Sequence, residues 1–243
     1  MISLGERNEG YLAKVGEPLI QFYGYKTCGV WNSAEEIAAN PHFSDDAPGG
    51  IRIVDTNNDG SLTPEDRVAL GTPYPDFTWG ITNTFQIKDF DISFLIQGVQ
   101  GITVLNGDVY YNETKKWNKK YTKNRWVSAE HPGDGKTPYQ NVKTGHDLML
   151  TDYPLQNASY ACLRNFTVGY TLPATAARKI KLSGVRFYVS GSNLLYIWGS
   201  GYKGINPESR MTSGNYSSAM ISGYQRGGFP LTSTISAGFD INF

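Results

Sequence analysis

The 243-residue chain contains little cysteine, little histidine and no net charge. Its two cysteines, Cys28 and Cys162, lie far apart in the sequence, so they form neither a disulfide framework nor a metal-binding pattern. The three histidines, His42, His131 and His146, are scattered without metal-ligand spacing. Basic and acidic residues number 22 each, so no bulk attraction to nucleic acid is expected.

Long apolar runs are also missing. Mean hydropathy is −0.38, and no apolar stretch approaches the roughly 18 residues that indicate a transmembrane helix. A membrane β-barrel contains no such stretch either, so a membrane protein is not excluded. Residues 1–7 do not resemble a signal peptide, and we therefore expect either a cytosolic protein or a chain that begins inside a longer one.

Catalytic motifs are absent as well. The segment from Gly199 to Gly204 fits the dinucleotide pattern G-x-G-x-x-G, but Ile-Asn-Pro follows it where a helix is required. No G-x-S-x-G nucleophile elbow occurs, and nothing pairs the loop carboxylates for acid–base chemistry. The sequence therefore predicts no enzyme, with no catalytic and no cofactor-binding residues.

Basic and aromatic residues alternate within residues 115–126, a composition that single-stranded nucleic acid can bind. A solvated loop helix has the same composition. Because the chain as a whole carries no net charge, we expect no nucleic-acid partner.

The clearest pattern runs from Trp79 to Gly98. Apolar and polar residues alternate in two arms on either side of Lys88-Asp89. The apolar positions are Trp79, Ile81, Phe85 and Ile87 in the first arm and Phe90, Ile92, Phe94 and Ile96 in the second. Period two, a tight polar turn and period two again predict a hairpin of two half-buried strands.

Each arm has about the nine to eleven residues that a tilted strand needs to cross a bilayer. Large aromatic residues on one face, with Thr, Gln, Asp and Ser on the other, are typical of a membrane barrel. A soluble sandwich hairpin shows the same alternation, so this stretch alone leaves both interpretations open.

Four further segments predict strands: Pro18 to Lys26, Ser159 to Leu172, Val185 to Tyr196 and Thr232 to Phe243. In the last of them Ile235, Ala237, Phe239, Ile241 and Phe243 share one face. A short helix is predicted from Ser33 to Asn40, with Ser33 as N-cap and Glu36 in the capping-box position.

Residues 55–66 match the calcium-loop pattern D-x-[DN]-x-[DN]-G with an acidic residue at the twelfth position. The predicted ligands are Asp55, Asn57, Asp59, the Ser61 carbonyl and Asp66. These are all oxygen donors, which favours Ca²⁺ over zinc. No pair of long helices flanks the loop, so a structural ion is expected and a sensor EF-hand is not. An Asx-rich turn without an ion is the alternative.

Several runs in order resemble the carboxy-terminal part of SusC/RagA-type TonB-dependent outer-membrane transporters. They cover most of the chain from about residue 15: PLIQFYGYK at 18–26, DTNNDGSLTPEDR at 55–67, GTPYPDFTWG at 71–80, FDISFLIQGVQG at 90–101, NRW at 124–126, NASYACLRNFTVGYTLP at 157–173, VRFYVSGSNLL at 185–195, YKGINPE at 202–208 and the terminal aromatic strand. Cys162 departs from the pattern, because the family usually has an aliphatic residue there, and residues 1–10 match poorly.

The resemblance implies an all-β fold: residues 1–243 would be the carboxy-terminal part of an antiparallel transmembrane β-barrel, supplying about six long strands of about 22. It implies import of glycans or peptides across the outer membrane of a Gram-negative cell. The implied partners are a SusD-like lipoprotein, outer-membrane lipid and a TonB complex, which the missing amino-terminal part would contact. The alternative is a secreted, calcium-stabilised β-sandwich that binds carbohydrate.

The predicted strand order places the turns at 87–90 and 173–184 in the periplasm. Loops 27–77, 99–158 and 197–230 are then extracellular, and the calcium loop lies in the first of them. Short periplasmic turns and long outer loops are the outer-membrane pattern. Phe239, Ile241 and Phe243 on the last strand resemble the signal by which barrels are recognised for assembly, although a girdle aromatic would look the same.

Two tests separate the interpretations. A barrel turns five aromatic residues outward, whereas a sandwich buries them between sheets: Trp79, Phe94, Phe166, Phe187 and Phe239. Aromatic residues in the outer loops either stack on sugar rings or, as we prefer, pack the loops and the headgroup girdle: Trp31, Tyr110, Tyr111, Trp117 and Trp198. No residue of the sequence identifies the substrate or its binding site.

Overall fold

The computed structural model describes residues 10–109, 124–139, 148–209 and 223–243. Within them, five long strands form one antiparallel sheet with the order β13-β11-β10-β7-β6. These strands are β6 (Phe77–Ile87), β7 (Phe90–Gln100), β10 (Tyr160–Thr171), β11 (Gly184–Trp198) and β13 (Thr234–Asn242).

The remaining strands of the described residues are short and form three small sheets. They are β1 (Tyr11–Leu12), β2 (Gln21–Gly24) and β5 (Val68–Gly71); β3 (Thr27–Val30) and β4 (Ile51–Ile53); and β8 (Thr103–Asn106), β9 (Leu155–Asn157) and β12 (Tyr224–Gln225). Helices cover Ala34–Ala38, Gly107–Val109 and Ala174–Lys179, and 3₁₀ turns cover Pro64–Asp66 and Leu148–Leu150. In this part of the chain, no helix has both the length and the apolar character for a membrane span.

The predicted hairpin is confirmed. β6 and β7 pair without interruption from Phe77 opposite Gln100 to Ile87 opposite Phe90. The turn consists of Lys88 and Asp89, and Lys88 adopts a left-handed conformation with φ of 54°. Each arm has 11 residues, which is long for a globular strand.

The long sheet has one apolar and one polar face, because directly paired residues point the same way. One row across all five strands is apolar: Phe85, Ile92, Val168, Val189 and Ala237. The next row is polar or small: Gln86, Asp91, Gly169, Tyr188 and Gly238. The period-two alternation of the sequence therefore extends across the whole sheet.

All five aromatic residues that test the two interpretations lie on the apolar face, and none of them is buried. Phe187 and Phe239 are 50% and 65% exposed. Trp79, Phe94 and Phe166 are half-buried against neighbouring side chains of the same face. In the described part of the chain no second sheet covers this face, and the sandwich interpretation is wrong.

The loops at one end of the sheet are more ordered than the sequence predicts. Three compact hydrophobic clusters form there, built around Phe22, Ile51 and Val104 respectively. Each cluster joins segments that are far apart in sequence; Phe22, for example, packs with Leu105 and Tyr224. Residues that read as irregular loops therefore build small sheets of their own, whereas the opposite end of the long sheet carries the tight turn at 88–89 and the short connection 172–183.

One predicted strand differs from the structure. The sequence predicts one of the long barrel strands from Pro18 to Lys26, but the strand of the structure covers only Gln21–Gly24, and it pairs with β1 and β5. Ile20, Gln21 and Phe22 are buried in succession, so period-two exposure is lost. The described residues thus supply five long strands to the sheet, and the sixth expected strand belongs to a loop core.

The predicted short helix is confirmed as Ala34–Ala38. The Ser33 hydroxyl accepts a hydrogen bond from the amide of Glu36 at 3.2 Å, as an N-cap does. The Glu36 carboxylate accepts from the amide of Asn32 at 2.8 Å, one residue before the position that a capping box uses.

Candidate functional site

The polar face of the long sheet carries an ion cluster near the tight turn. Arg186 of β11 donates to both oxygens of Asp91 on β7, with distances of 3.0 Å from Nε and 2.6 Å from Nη2. Its Nη1 atom also donates to Asp240 of β13 at 3.3 Å. A single guanidinium therefore ties strands on both sides of β11.

Arg186 reaches Asp91 by passing over β10, the strand that lies between β11 and β7. The residue of β10 at this point is Gly169, which pairs with Asp91 on one side and Tyr188 on the other. A Cβ atom at Gly169 would overlap both the Asp91 carboxylate and the Arg186 guanidinium. The missing side chain is what allows the bidentate pair to form across three strands.

A second cluster sits at the loop end of the same face, around Arg164. This residue lies in a β-bulge, because the register of β10 shifts between Leu163 and Asn165 against both neighbouring strands. The bulge aims Arg164 to the polar side, where it meets Glu208 at 2.6 Å and the Tyr196 hydroxyl at 2.9 Å.

Arg164 also donates to Gln97 of β7 and to Asn193 of β11. Glu208 belongs to the connection after β11, so this cluster fixes that connection to the sheet wall. The sequence pattern assigned no role to Arg164 or Gly169. The only signal for Arg164 was the break in alternation before Phe166, and a glycine within a strand was the signal for Gly169.

The calcium-loop residues form a closed turn. The Asp55 carboxylate accepts hydrogen bonds from the amides of Asn58 at 2.7 Å and Gly60 at 2.8 Å. Asn58 and Gly60 both have left-handed φ values, 58° and 83°. Gly60 serves as the sharp-turn residue, as the pattern predicts.

Asp66 closes the same turn from its far end and is fully buried. Its carboxylate accepts hydrogen bonds from the amides of Thr56 at 2.9 Å and Thr63 at 2.8 Å. Burial raises the pKa of this carboxyl, but the hydrogen bonds that it accepts from the amides of Thr63, Thr56 and Asn57 outweigh burial, so the pKa lies below its usual range. Asp66 is therefore a charged, hydrogen-bonded support of the loop.

Asp59 turns to neighbours within the loop, accepting from the amide of Ser61 at 2.8 Å and from the side chain of Asn57 at 2.9 Å. In the described residues, no three His, Cys, Asp or Glu side chains converge as a metal-binding group. The donor set contains only oxygen atoms, which suits a hard cation. Calcium binding at Asp55, Asn57, Asp59, Ser61 and Asp66 stays a prediction.

The carboxy-terminal residues lie as the alternation predicts. Phe239 pairs with Phe187, and Ile241 pairs with Val185, so both are on the apolar face at an unpaired edge of the sheet in the described structure. Phe243 follows the end of β13 and is 94% exposed. Their role in assembly stays a prediction.

Two of the loop aromatics can be placed. Trp31 is fully buried, with Arg52 4.8 Å from its ring centre, so it packs the loop core and presents no face to a sugar. Trp198 is 43% exposed and contacts Tyr202 edge to face. Tyr110, Tyr111 and Trp117 lie outside the described residues.

Three known proteins share the pattern or the fold. TonB-dependent receptor P26 of Formosa agariphila is 31% identical over 94% of this chain. TonB-dependent receptor SusC of Bacteroides thetaiotaomicron is 26% identical over 85% of it. A structure of the RagAB peptide importer in the open-open state covers 99% of the chain with a TM-score of 0.68 and 18% identity.

These matches cover only part of each relative. The chain spans 23% of the length of receptor P26, 19% of SusC and 24% of the matched RagAB chain. No family model matches the chain.

Proposed function

Because this chain belongs to the TonB-dependent receptors of the SusC/RagA type, we propose that it forms part of the wall of an outer-membrane importer of glycans or peptides. Its relatives are receptors and transporters, which agrees with the absence of catalytic motifs from the sequence. The chain's contribution is a piece of barrel wall with folded outer loops.

The observation that carries this proposal is the uncovered apolar face of the five-stranded sheet. Phe187, Val189 and Phe239 are each at least half exposed, and they lie on one continuous surface. A large exposed apolar surface costs free energy in water, whereas acyl chains remove that cost. We therefore place this face against the lipid of the outer membrane and the polar face against the barrel interior.

This orientation also assigns the two ends of the sheet. The end with short connections would face the periplasm, and the end with the three hydrophobic clusters would face the outside, as in other outer-membrane barrels. The folded outer loops would then meet a SusD-like lipoprotein. Energy would come from a TonB complex through a segment outside this chain.

Calcium binding at residues 55–66 is part of the proposal. Support comes from the sequence pattern, from the closed turn around Asp55 and Gly60, and from the neighbouring carboxyls of Asp55 and Asp66. Asp59 would turn one oxygen from its present partners toward the ion. The role would be structural, because in the described residues no pair of long helices flanks the loop to transmit a conformational change.

The test is an uptake measurement in the Gram-negative organism that carries this receptor. Deleting the receptor gene should abolish proton-motive-force-dependent uptake of one class, oligosaccharides or peptides, and the gene on a plasmid should restore it. A protonophore should block uptake in the restored strain. Unchanged uptake of both classes in the deletion strain would contradict the proposal.

A further inference from the structure

A cleft of about 650 Å³ opens among the loops, between β3 and the segments at 134–137, 152–153 and 203. This volume is in the range of small-molecule binding sites. Cys28 and Ile51 line one side, and Lys136 and Tyr153 line the other. The cleft lies outside the calcium loop and outside both clusters of the polar face.

The walls of the cleft are held by hydrogen bonds within the protein. Asp152 accepts from the amide of Thr27 at 3.0 Å and from its hydroxyl at 2.6 Å, both through Oδ1. The amide of Val30 donates to the Gly135 carbonyl at 3.1 Å. Gly29 approaches Gly135 so closely that a Cβ atom would lie 2.7 Å from its carbonyl oxygen. The cleft is therefore pre-formed.

Two charged groups of the lining, Asp152 and Lys136, can still form hydrogen bonds with a ligand in the cleft. Among the described residues, no donor contacts the second oxygen of Asp152, and no carboxylate forms an ion pair with Lys136. Asp134 also lines the cleft, but its two oxygens accept hydrogen bonds from the amides of Lys136 and Thr137 and from the Thr137 hydroxyl. The cleft thus offers the Asp152 carboxylate and the Lys136 ammonium group, which form no ion pair with each other in the described structure.

A ligand with one positive and one negative end would satisfy both groups, since charge-assisted hydrogen bonds are the strong ones. A neutral oligosaccharide could hydrogen-bond to both groups through its hydroxyls, but it would bring no charge to balance either of them. Sugars bind well to aromatic faces, and of the described aromatic side chains only Tyr153 lines the cleft.

We infer that this cleft binds a short peptide by its two termini, with the ammonium group on Asp152 and the carboxylate on Lys136. The inference rests on the proposed import function and narrows its substrate class to peptides. Peptide side chains would lie along Tyr153 and Ile51, where the lining is apolar.

Cys28 provides a built-in reporter for this test. It is an exposed free thiol that lines the cleft, whereas Cys162 is buried. Partial burial raises the pKa of Cys28, so little thiolate is present near neutral pH and alkylation needs an excess of reagent. The pH is kept at about 7, because the amino terminus of a peptide has a pKa of about 7.7–8.0 and must stay protonated to bind Asp152. The experiment uses the complete receptor in detergent, with a Cys28→Ser variant to assign the modified site by mass spectrometry.

Saturating trialanine should slow alkylation of Cys28 at least tenfold, and maltotriose should leave the rate unchanged. Asp152→Asn keeps an oxygen for Thr27 but removes the charge, and it should abolish the protection, as should Lys136→Gln. Lys26→Gln, at an exposed lysine just before β3 that does not line the cleft, is the matched control and should keep full protection.

Protection by maltotriose alone, protection by neither probe, or trialanine protection that survives both Asp152→Asn and Lys136→Gln would each overturn the inference. Uptake measured in parallel separates the two proposals. Uptake that depends on the receptor, without protection of Cys28 by trialanine, would reject the cleft and leave the import function standing. Receptor-independent uptake would reject the import function itself.

Discussion

At the scale of single residues, Asp66 is the fully buried carboxylate of the calcium loop. Its carboxylate accepts hydrogen bonds from the amides of Thr56 and Thr63. Asp66→Ala would leave these donors without partners, so we expect the loop to lose about 2–4 kcal/mol of stability. Limited proteolysis of the receptor in EDTA, followed by mapping of cuts within residues 55–66, measures this loss.

Asp59→Asn is the matched control, because Asp59 is exposed and its contacts lie within the loop. In EDTA it should leave cleavage within about twofold of the parent. In Ca²⁺ Asp66→Ala should lose the calcium-dependent protection of the parent, whereas Asp59→Asn keeps an oxygen donor that the pattern allows and should keep most of that protection. Equal cleavage of the parent in EDTA and in Ca²⁺ would contradict the calcium proposal, while the expectation for Asp66→Ala in EDTA would stand.

At the scale of elements, the sheet is joined by contacts that skip a strand. Gly169→Ala should break the Arg186–Asp91 pair that crosses β10, because the new methyl group would occupy the path of the guanidinium. We expect a loss of about 1–3 kcal/mol for these charge-assisted hydrogen bonds, seen as a lower urea midpoint of the folded barrel.

Gly184→Ala is the control, since the nearest atom to its added Cβ would be 3.5 Å away, an ordinary contact. A double-mutant cycle makes the test specific. If Gly169 acts by admitting the ion pair, Asp91→Asn should cost little more in the Gly169→Ala background. Additive losses would show that Gly169 acts in another way.

At the scale of the whole molecule, adjacent residues of one strand point to different faces of the sheet, one toward lipid and the other toward the barrel interior in the proposed orientation. Val189→Arg would put a charge on the apolar face and should cost about 2–4 kcal/mol if that face meets lipid. Ser190→Arg, one residue later on the polar face, should cost far less. Equal losses in the amount of folded barrel would contradict the proposed orientation.

The carboxy terminus also acts on the whole molecule, because its proposed role is in assembly of the complete barrel. Deleting Phe243 should lower the amount of folded receptor in the outer membrane, since an edge with alternate apolar side chains pairs with a receiving edge. Uptake per assembled receptor should change little. Normal receptor levels with lost uptake would move Phe243 from assembly to transport.

The sequence by itself determined the two faces of the sheet. Period-two alternation is a local property of an extended chain, so Phe85, Ile92 and Val189 could be assigned to one surface from their neighbours alone. The Lys88-Asp89 turn and the Ser33 helix cap are local for the same reason. The ordered motifs also indicated the family.

Only the tertiary structure decided which polar residues meet. Arg186 and Asp91 are 95 residues apart, and their contact depends on strand order, register and a glycine between them. The pattern from Pro18 to Lys26 resembles a barrel strand. In the structure, Phe22 packs against Leu105 and Tyr224, so this segment is part of a hydrophobic cluster among the loops. Local pattern dictates which way a side chain points, whereas its partner depends on contacts between segments that the local pattern does not encode.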